Sequence, residues 1–512
     1  MVPEGTRDGD RASDRRRSGW SRRRALMRWR VLILINAAPI PYRARPLPNQ
    51  RVLKKQNRRH HLATLLADAG QPDRKDHQRR TPSYAASCEL TKMEFKRSSM
   101  WSMSFRAVAL SCVLTVGLTS LDLAYAGSKQ AGEPLPRLSP SPSDTERGPI
   151  ILTRPLSNAA ALPSAARNLF VAYWSKSLNG RTVVVSGTVA IPAGKPPPNG
   201  WPLITWTHGT TGMASRCAPS RDTINGPAHR YLSIIEELLD SFVKRGYAVV
   251  ATDYEGLGTP GTQAYLVGAV EGRNAIDIMR AARKIDPSIG TRYVVMGHSQ
   301  GGHADLFTAA IGPDYAPELT LLGNVAIAPA SHIGELVRLA MTAPNPSPIL
   351  PFVAYTLQSY AAYYPEIVLG RILTPQAKKH LEDTWKGCID DALASGYWAQ
   401  SIPNGQFLPG SDLRPLLKAA ASNEPGALRI GAPTLLIQGT GDATIPPSST
   451  DAVDRDLCLS GNVVSYRTYS KASHEGVLTL AKADLDAWVD ARFSDVEAAS
   501  NCDASPSAAS SR

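Results

Sequence analysis

A serine between two glycines, at the end of an apolar run, constrains the fold of this chain most. Residues 293–302 are YVVMGHSQGG, and a helix-compatible segment, His303 to Ile311, follows at once. A strand, a sharp turn and a helix in this order are typical of a nucleophile elbow, which holds its serine in a strained backbone conformation. Gly297 and Gly301 stand where a Cβ would clash across the tight turn. The pattern therefore predicts Ser299 as a nucleophile above a sheet edge, and its flanks argue against a chance match in a loop.

The positive charge of the chain is confined to its first part. The formal net charge is +13, but residues 1–92 contain 22 of the 57 Lys and Arg and only 8 of the 44 Asp and Glu. The remaining chain is nearly neutral, so charge gives no reason to expect a nucleic-acid or anionic-membrane partner. Residues 1–92 are predicted to be a disordered basic extension, or else the start of the chain has been assigned too early.

Residues 93–126 have the three parts of a secretory signal peptide. Basic residues precede the apolar run Ala107 to Leu118, and Ala124-Tyr125-Ala126 fits the small-residue cleavage rule. Such a signal works only at an N-terminus, which favours a true start near Met93. The sequence predicts a secreted or periplasmic protein without a transmembrane anchor, because Asp122 ends the apolar run early.

Four cysteines follow this signal: Cys217, Cys388, Cys458 and Cys502. An even number in an exported chain favours disulfides over metal or redox chemistry. Spacing alone leaves all three pairings open.

Strands and helices alternate after a flexible lead-in at residues 127–149. The predicted strands are 168–174, 182–192, 203–208, 248–252, 293–297, 324–328, 434–438 and 463–469, the first two forming an antiparallel pair, and the predicted helices include 231–243, 273–285, 375–385 and 477–493. Continuous apolar strands separated by helices favour an α/β fold, a mostly parallel sheet with helices on both faces.

One interval between strands is too long for an ordinary crossover. More than 100 residues separate the starts of the strands at Asn324 and Thr434. Residues 331–428 are predicted to be a helical cap or lid, inserted before the acid-bearing strand and over the strand ends where ligands bind; the alternative is a separate domain. The core then comprises residues 150–330 and 429–495, with a C-terminal tail at 496–512.

A serine nucleophile needs a base and an orienting acid, which follow it in the order acid, then histidine, in sheets of this type. His474 lies in a loop after the last strand and is the predicted base. Asp442 lies on the turn after the preceding strand and is the predicted acid. The other downstream histidines fall on the elbow helix or in the cap: His303, His332 and His380. The fallback acids are Asp451 and Asp253.

The oxyanion formed by the attack needs two backbone N–H donors. Gln300 follows the nucleophile directly, and its amide is the first predicted donor. The loop at residues 206–212 follows an early strand, and the Thr210 amide is the second. His208 in that loop and His298 beside the serine are predicted to be structural.

Together these motifs resemble one family of hydrolases. They are HGTTG at 208–212, DYEGLG at 253–258, GHSQGG at 297–302, Gly441-Asp442 and HEG at 474–476. In this order, with the long insertion before the acid, the chain resembles the secretory lipase family (lipase A type) of the α/β-hydrolases over about residues 150–495. Gly-x-Ser-x-Gly alone marks only the superfamily.

The resemblance implies an α/β-hydrolase fold, a helical cap whose underside binds an acyl chain, and no metal or organic cofactor. It supports Ser299, Asp442 and His474 as a triad, with Thr210 and Gln300 as oxyanion donors. It further implies the disulfides Cys217–Cys388 and Cys458–Cys502.

The resulting hypothesis is an exported serine carboxylic ester hydrolase, a lipase or esterase that works through an acyl-enzyme. Its partner would be a small-molecule or lipid ester, with a lipid–water interface as a further candidate surface. Peptidase, acyltransferase and polyester depolymerase activities would use the same triad on other substrates. A non-catalytic lipid-binding protein would keep the fold without the reaction.

Overall fold

The computed structural model describes residues 148–342, 348–394 and 405–502. The predicted basic extension, the signal peptide, the lead-in up to residue 147 and residues 503–512 lie outside the described residues. Within the described part of the chain, no helix is long and apolar enough to cross a membrane.

The described strands form one nine-stranded sheet. It is mostly parallel, as the sequence predicts, and contains the eight predicted strands and one more. They are β1 (Ile150–Pro155), β2 (Ala165–Lys176), β3 (Thr182–Pro192), β4 (Trp201–Thr207), β5 (Ala248–Thr252), β6 (Ile289–His298), β7 (Thr320–Ile327), β8 (Thr434–Gly439) and β9 (Val464–Tyr469). Their order is β1-β2-β3-β5-β4-β6-β7-β8-β9. The pairs from β1 to β5 are antiparallel, and those from β5 through β4 to β9 are parallel.

Helices cover both faces of this sheet. The core helices are α1 (His229–Lys244), α2 (Gly268–Ile285), α3 (Gln300–Tyr315), α9 (Pro447–Leu459), α10 (Gly476–Leu480) and α11 (Lys482–Phe493). In β6, Tyr293 and Val295 belong to one buried apolar cluster with residues of α2, α3 and α9, whereas Val294 and Met296 belong to another with residues of α1, α10 and α11. This alternation buries both faces of the strand, which is why its sequence is a continuous apolar run.

The insertion between β7 and β8 is helical, as predicted. It contains α4 (Ile333–Thr342), α5 (Leu350–Tyr363), α6 (Pro375–Leu381), α7 (Ile389–Leu393) and α8 (Arg414–Ser422), with short 3₁₀ turns at Leu369–Arg371, Glu382–Trp385 and Pro425–Ala427. Two further 3₁₀ turns, Ser215–Cys217 and Pro219–Arg221, follow β4. Apolar cap side chains pack on core residues such as Val267, Val270 and Ala328. The cap is thus joined by apolar contacts to the start of α2, the segment before it and the loop after β7.

Both disulfides suggested by the family resemblance are present. Cys217 bonds to Cys388, and Cys458 bonds to Cys502. The first joins the segment after β4 to the cap, where the Ile389 N–H also donates to the Thr211 carbonyl at 2.9 Å. The second fixes the start of the predicted tail beside β9.

Several element boundaries differ from the sequence prediction. The strand β1 was not predicted, because its six residues are mostly exposed at the sheet edge and lack an apolar alternation. Helix α2 begins at Gly268, five residues before the predicted start, where the Asn423 side chain accepts a hydrogen bond from the Gly268 N–H at 2.9 Å. The predicted helix 375–385 becomes 3₁₀ after Leu381, and the predicted helix 477–493 is broken at Ala481.

Candidate active site

Ser299 lies on a strained turn between β6 and α3. Its φ of 61° and ψ of −118° are unfavourable for a residue with a Cβ, and such conformations cost about 1–3 kcal/mol. The Ser299 N–H donates to the Ile327 carbonyl at 2.9 Å, and the Ser299 carbonyl accepts from Ala330 at 3.0 Å. A Cβ on Gly297 or Gly301 would overlap neighbouring backbone atoms. The predicted steric reason for both glycines therefore holds.

Asp442 follows β8 and is nearly saturated with hydrogen bonds. Its Oδ1 accepts from the backbone N–H groups of Thr444 at 2.8 Å and Ile445 at 2.9 Å. Its Oδ2 faces the Gln438 amide at 3.3 Å and the His474 Nδ1 at 2.7 Å. Burial raises the pKa of Asp442, but the His474 hydrogen bond and charge, with the two backbone donors, lower that pKa below its ordinary value overall. The carboxylate is therefore ionised at neutral pH.

His474 lies in the loop after β9 and is oriented by this carboxylate. An ionised carboxylate only accepts hydrogen bonds, so the His474 Nδ1 carries the proton and its Nε2 is left as an acceptor. Ser299 and His474 line the same cleft. No hydrogen bond joins these two described side chains in this structure, and in substrate-free enzymes such contacts often tighten only when substrate binds.

The cleft has an apolar side and a charged rim. It spans about 470 Å³, part of it open to solvent, and is lined by Thr210, Arg230, Tyr231, His298, Ser299, Phe352, Ile389, Asp390, Leu393, Thr444, His474 and Glu475. The three apolar residues among them come from the cap. At the rim, the Arg230 guanidinium donates to both Glu475 carboxylate oxygens at 2.6 and 3.1 Å and lies 3.5 Å from Asp390. This ion-pair cluster joins α1, the His474 loop and the cap.

The two predicted oxyanion donors come from different elements, Gln300 from the start of α3 and Thr210 from the loop after β4. Gln300 is the first residue of α3, whose N-terminal N–H groups favour negative charge. Its side chain donates to the buried Glu271 carboxylate at 2.7 Å. Thr210 lines the cleft, and its hydroxyl is 2.9 Å from the Tyr265 hydroxyl. The neighbouring Gly209 N–H donates to the Tyr231 hydroxyl at 3.2 Å, so it is not available to an oxyanion.

The fallback acids bond elsewhere. The Asp253 carboxylate accepts hydrogen bonds from the Ser186 and Ser220 hydroxyls at 2.6 and 2.5 Å. The Asp451 carboxylate accepts from the Tyr466 hydroxyl at 2.7 Å. Asp442 is thus the acid that the fold brings to the predicted base.

Three other histidines named from the sequence make structural contacts. The His208 ring lies 2.6 Å from the Gly209 carbonyl and stacks against Tyr254, and burial lowers the His208 pKa. His303 is fully buried, with its ring 3.2 Å from the Glu271 carboxylate. His298 makes two hydrogen bonds that its sequence position does not disclose.

Three described side chains bring possible cation ligands together. Asp222, His229 and Glu236 offer ligand atoms within 4.8 Å of one another. The His229 Nδ1 already lies 2.5 Å from the Asp222 carboxylate. Burial, and then the Asp222 charge, raise the pKa of Glu236 to about 7. Glu236 lines a different cavity from Ser299, so the group is separate from the candidate active site.

Several other residues at the cleft had no predicted site role. They are Arg230, Tyr231, Phe352, Ile389, Asp390, Leu393, Thr444 and Glu475, the last of which lies in the HEG motif at 474–476. Arg230 and Tyr231 occupy an ordinary amphipathic helix, where exposure and burial alone account for their types. Nothing local in the sequence indicates that they meet the His474 loop.

Known proteins are similar to this chain in sequence. The profile of the family described as secretory lipase matches residues 232–501, which is more than half of the chain. The secreted triacylglycerol lipase LIP4 of Malassezia globosa is 26% identical over 317 residues, covering 59% of this chain and 67% of that protein. A protein of Mycobacterium tuberculosis named probable inactive lipase MT1628 is 25% identical over 340 residues, covering 63% and 72%.

Solved structures agree on the fold. The closed state of Candida antarctica lipase A superposes with a TM-score of 0.57 at 17% identity, covering 69% of this chain and 84% of that one. The sheet, its two helical layers and this likeness confirm the α/β-hydrolase fold. The matches span about three fifths to two thirds of the length of the first curated relatives. On its match to the family profile, the chain belongs to the secretory lipase family.

Proposed function

We propose that this protein is an exported serine hydrolase that cleaves carboxylic esters. The observation that carries the proposal is a single cleft that holds both Ser299, on its strained elbow, and His474, whose Nδ1 is bound to the Asp442 carboxylate at 2.7 Å. This is the arrangement of nucleophile, base and orienting acid that acyl transfer requires. Membership of the secretory lipase family supports both the reaction class and export.

The reaction proceeds through an acyl-enzyme. The Ser299 oxygen attacks the ester carbonyl carbon while its proton passes to the His474 Nε2, and the Gln300 and Thr210 amides stabilise the oxyanion. The tetrahedral intermediate collapses, the alkoxy bond breaks, and the imidazolium returns the proton to the departing alcohol. Water then attacks the acyl-enzyme with His474 as base, which releases the carboxylic acid and restores Ser299. These steps require no metal and no organic cofactor.

The lining of the cleft favours an acyl group on the cap side. Phe352, Ile389 and Leu393 supply apolar surface next to the nucleophile, and apolar contacts of this kind suit a hydrocarbon chain. Relatives named secreted triacylglycerol lipases support a lipid ester as substrate. A lipid–water interface would then be the surface on which an insoluble ester of this kind is met.

Replacing the nucleophile tests this proposal. Ser299→Ala should abolish hydrolysis of p-nitrophenyl esters and labelling by a fluorophosphonate, with an unchanged circular dichroism spectrum. Asp451→Asn is the matched control, because that carboxylate bonds outside the cleft. Turnover retained by a folded Ser299→Ala variant would refute the assignment.

A non-catalytic lipid-binding protein on the same fold is the second candidate, since one relative is named a probable inactive lipase. The wild-type protein decides between the two. Stoichiometric fluorophosphonate labelling with ester turnover supports the hydrolase, whereas lipid binding without labelling supports the second candidate. A series of ester chain lengths beside an aminoacyl amide separates esterase from peptidase activity.

A further inference from the structure

A chain of hydrogen bonds between buried groups runs along the wall of the cleft that Tyr231 and His298 line. The Gly209 N–H lies 3.2 Å from the Tyr231 hydroxyl, which lies 2.9 Å from the His298 Nδ1. The His298 Nε2 lies 2.9 Å from the backbone carbonyl of His474. Tyr231 and His298 are both buried. The chain therefore joins the loop after β4, the nucleophile strand and the loop of the proposed base.

The direction of every bond in this chain is determined. The His474 carbonyl can only accept, so the His298 Nε2 carries a proton. Burial and the nearby His474 charge hold the pKa of His298 well below its ordinary value, so the ring is neutral and its Nδ1 is an acceptor. The Tyr231 hydroxyl therefore donates to Nδ1, and its oxygen accepts from Gly209. Each donor in the chain has an acceptor.

His298 also contacts the imidazole of His474 directly. Their ring centroids are 4.4 Å apart at an interplanar angle of 43°. Asp442 holds the Nδ1 edge of His474, while His298 holds the backbone of the same residue and packs against its ring. The proposed base is thus held by two residues, Asp442 and His298, and His298 is adjacent in sequence to Ser299.

We propose that His298 and Tyr231 are positioning residues that set the His474 loop and the oxyanion loop relative to Ser299. They act through His474 and Gly209 rather than on the substrate. The inference deepens the function proposed above and rests on it. Catalytic groups must be held within a fraction of an ångström, and a displacement of about 1 Å can lower the rate about 100-fold.

Two substitutions at position 298 separate hydrogen bonding from packing. His298→Met fills a similar volume without a donor for the His474 carbonyl. His298→Gln offers an amide N–H near the position of the native Nε2. We expect His298→Met to lower kcat about 10- to 100-fold with KM within about threefold, because misplaced groups impair the chemical step. His298→Gln should recover a substantial part of that loss.

The tyrosine tests the other end of the chain. Tyr231→Phe removes the hydroxyl that links Gly209 to His298 and should lower kcat about tenfold. Because both residues belong to one network, the double variant Tyr231→Phe/His298→Met should lose less than the product of the single losses. Tyr247→Phe is the control, since Tyr247 donates its hydroxyl to Asp490 instead. It should retain wild-type kcat.

Active-site titration with a fluorophosphonate corrects each kcat for the folded fraction. A second readout does not depend on turnover: the downfield proton resonance of the His474 Nδ1, observed in protein labelled with ¹⁵N-histidine. In His298→Met this proton should exchange with water faster than in the wild type. If the wild type shows the resonance and His298→Met speeds its exchange, but the wild type has no ester turnover, the proposed function fails and the positioning role stands. If a folded His298→Met variant keeps wild-type kcat and wild-type exchange, the positioning role is overturned.

Discussion

Replacing the proposed acid by its amide, Asp442→Asn, probes the site without changing its shape. In the native protein one carboxylate oxygen accepts from Thr444 and Ile445, and the other faces Gln438 and His474. An asparagine that keeps the first pair of bonds must point its NH₂ at the His474 Nδ1. That donor favours the imidazole tautomer with the proton on Nε2, which cannot accept a proton from Ser299.

The size of the effect follows from these contacts. Flipping the amide to restore the correct tautomer would sacrifice two backbone hydrogen bonds, which costs about 2–3 kcal/mol. The imidazolium formed during attack would also lose its ionised partner, which removes about 2–3 kcal/mol more. Together these losses predict a fall in kcat of about 10³- to 10⁴-fold, with little change in KM.

The assay is steady-state hydrolysis of a short p-nitrophenyl ester at neutral pH, normalised to intact protein by mass. Asp451→Asn and Asp253→Asn are measured in parallel. The sequence offers both carboxylates as alternative triad acids, and in the structure both form hydrogen bonds away from His474. Asp451→Asn should keep wild-type kcat. A folded Asp442→Asn variant that keeps more than about a tenth of wild-type kcat, a loss too small for a tautomer error, would refute the reasoning.

Two further predictions concern stability. Burial and then the Asp222 charge raise the pKa of Glu236 to about 7. The stability that protonated Glu236 contributes is therefore present below its unfolded pKa and is lost as pH rises through 7. Discounted for the partial exposure of Glu236, Glu236→Gln should raise the free energy of unfolding at pH 8 by about 1–2 kcal/mol, with little effect at pH 4. Urea unfolding of both proteins at the two pH values checks this, and equal gains at both would contradict it. Replacing Cys217 and Cys388 by serine should lower the free energy of unfolding by about 2–5 kcal/mol, because their disulfide closes a loop of 171 residues. In urea unfolding, reductant should lower the stability of the wild type more than that of this variant, which keeps the Cys458–Cys502 disulfide.

The sequence predicts the sheet well because its strands are buried on both faces. The strand Ala248–Thr252 has the predicted bounds, since an apolar β-branched run leaves little choice of register or secondary structure. By contrast, β1 lies at the sheet edge and takes its conformation from pairing with β2 rather than from its own side chains. The start of α2 depends on Asn423, a residue of the cap that no local window includes.

Part of the candidate site could likewise be predicted from the sequence, and part could not. Chain order and strand ends were enough to select Asp442 and His474, and the fold brings their side chains to 2.7 Å. The catalytic roles of these residues and of Ser299 stay predictions. The contacts of Tyr231 with His298 cross 67 positions of the sequence, and the bond from His298 to the His474 carbonyl crosses 176. Such contacts have no local signature, because either residue would look like an ordinary buried side chain on its own element.

The anchoring of the cap bears on how the cleft can change shape. The Cys217–Cys388 disulfide, the bridge between Gly212 and Cys388, and the Ile389 N–H to Thr211 bond all lie within a few residues of Thr210. A cap movement that displaced this point would also displace the proposed oxyanion donor. The start of α7 is therefore one fixed point of the cap, and an opening that leaves the proposed oxyanion site assembled would have to keep this point in place. The Arg230 ion pairs to Glu475 and Asp390 are largely exposed and weak, so they can break during such a movement while the covalent anchor holds.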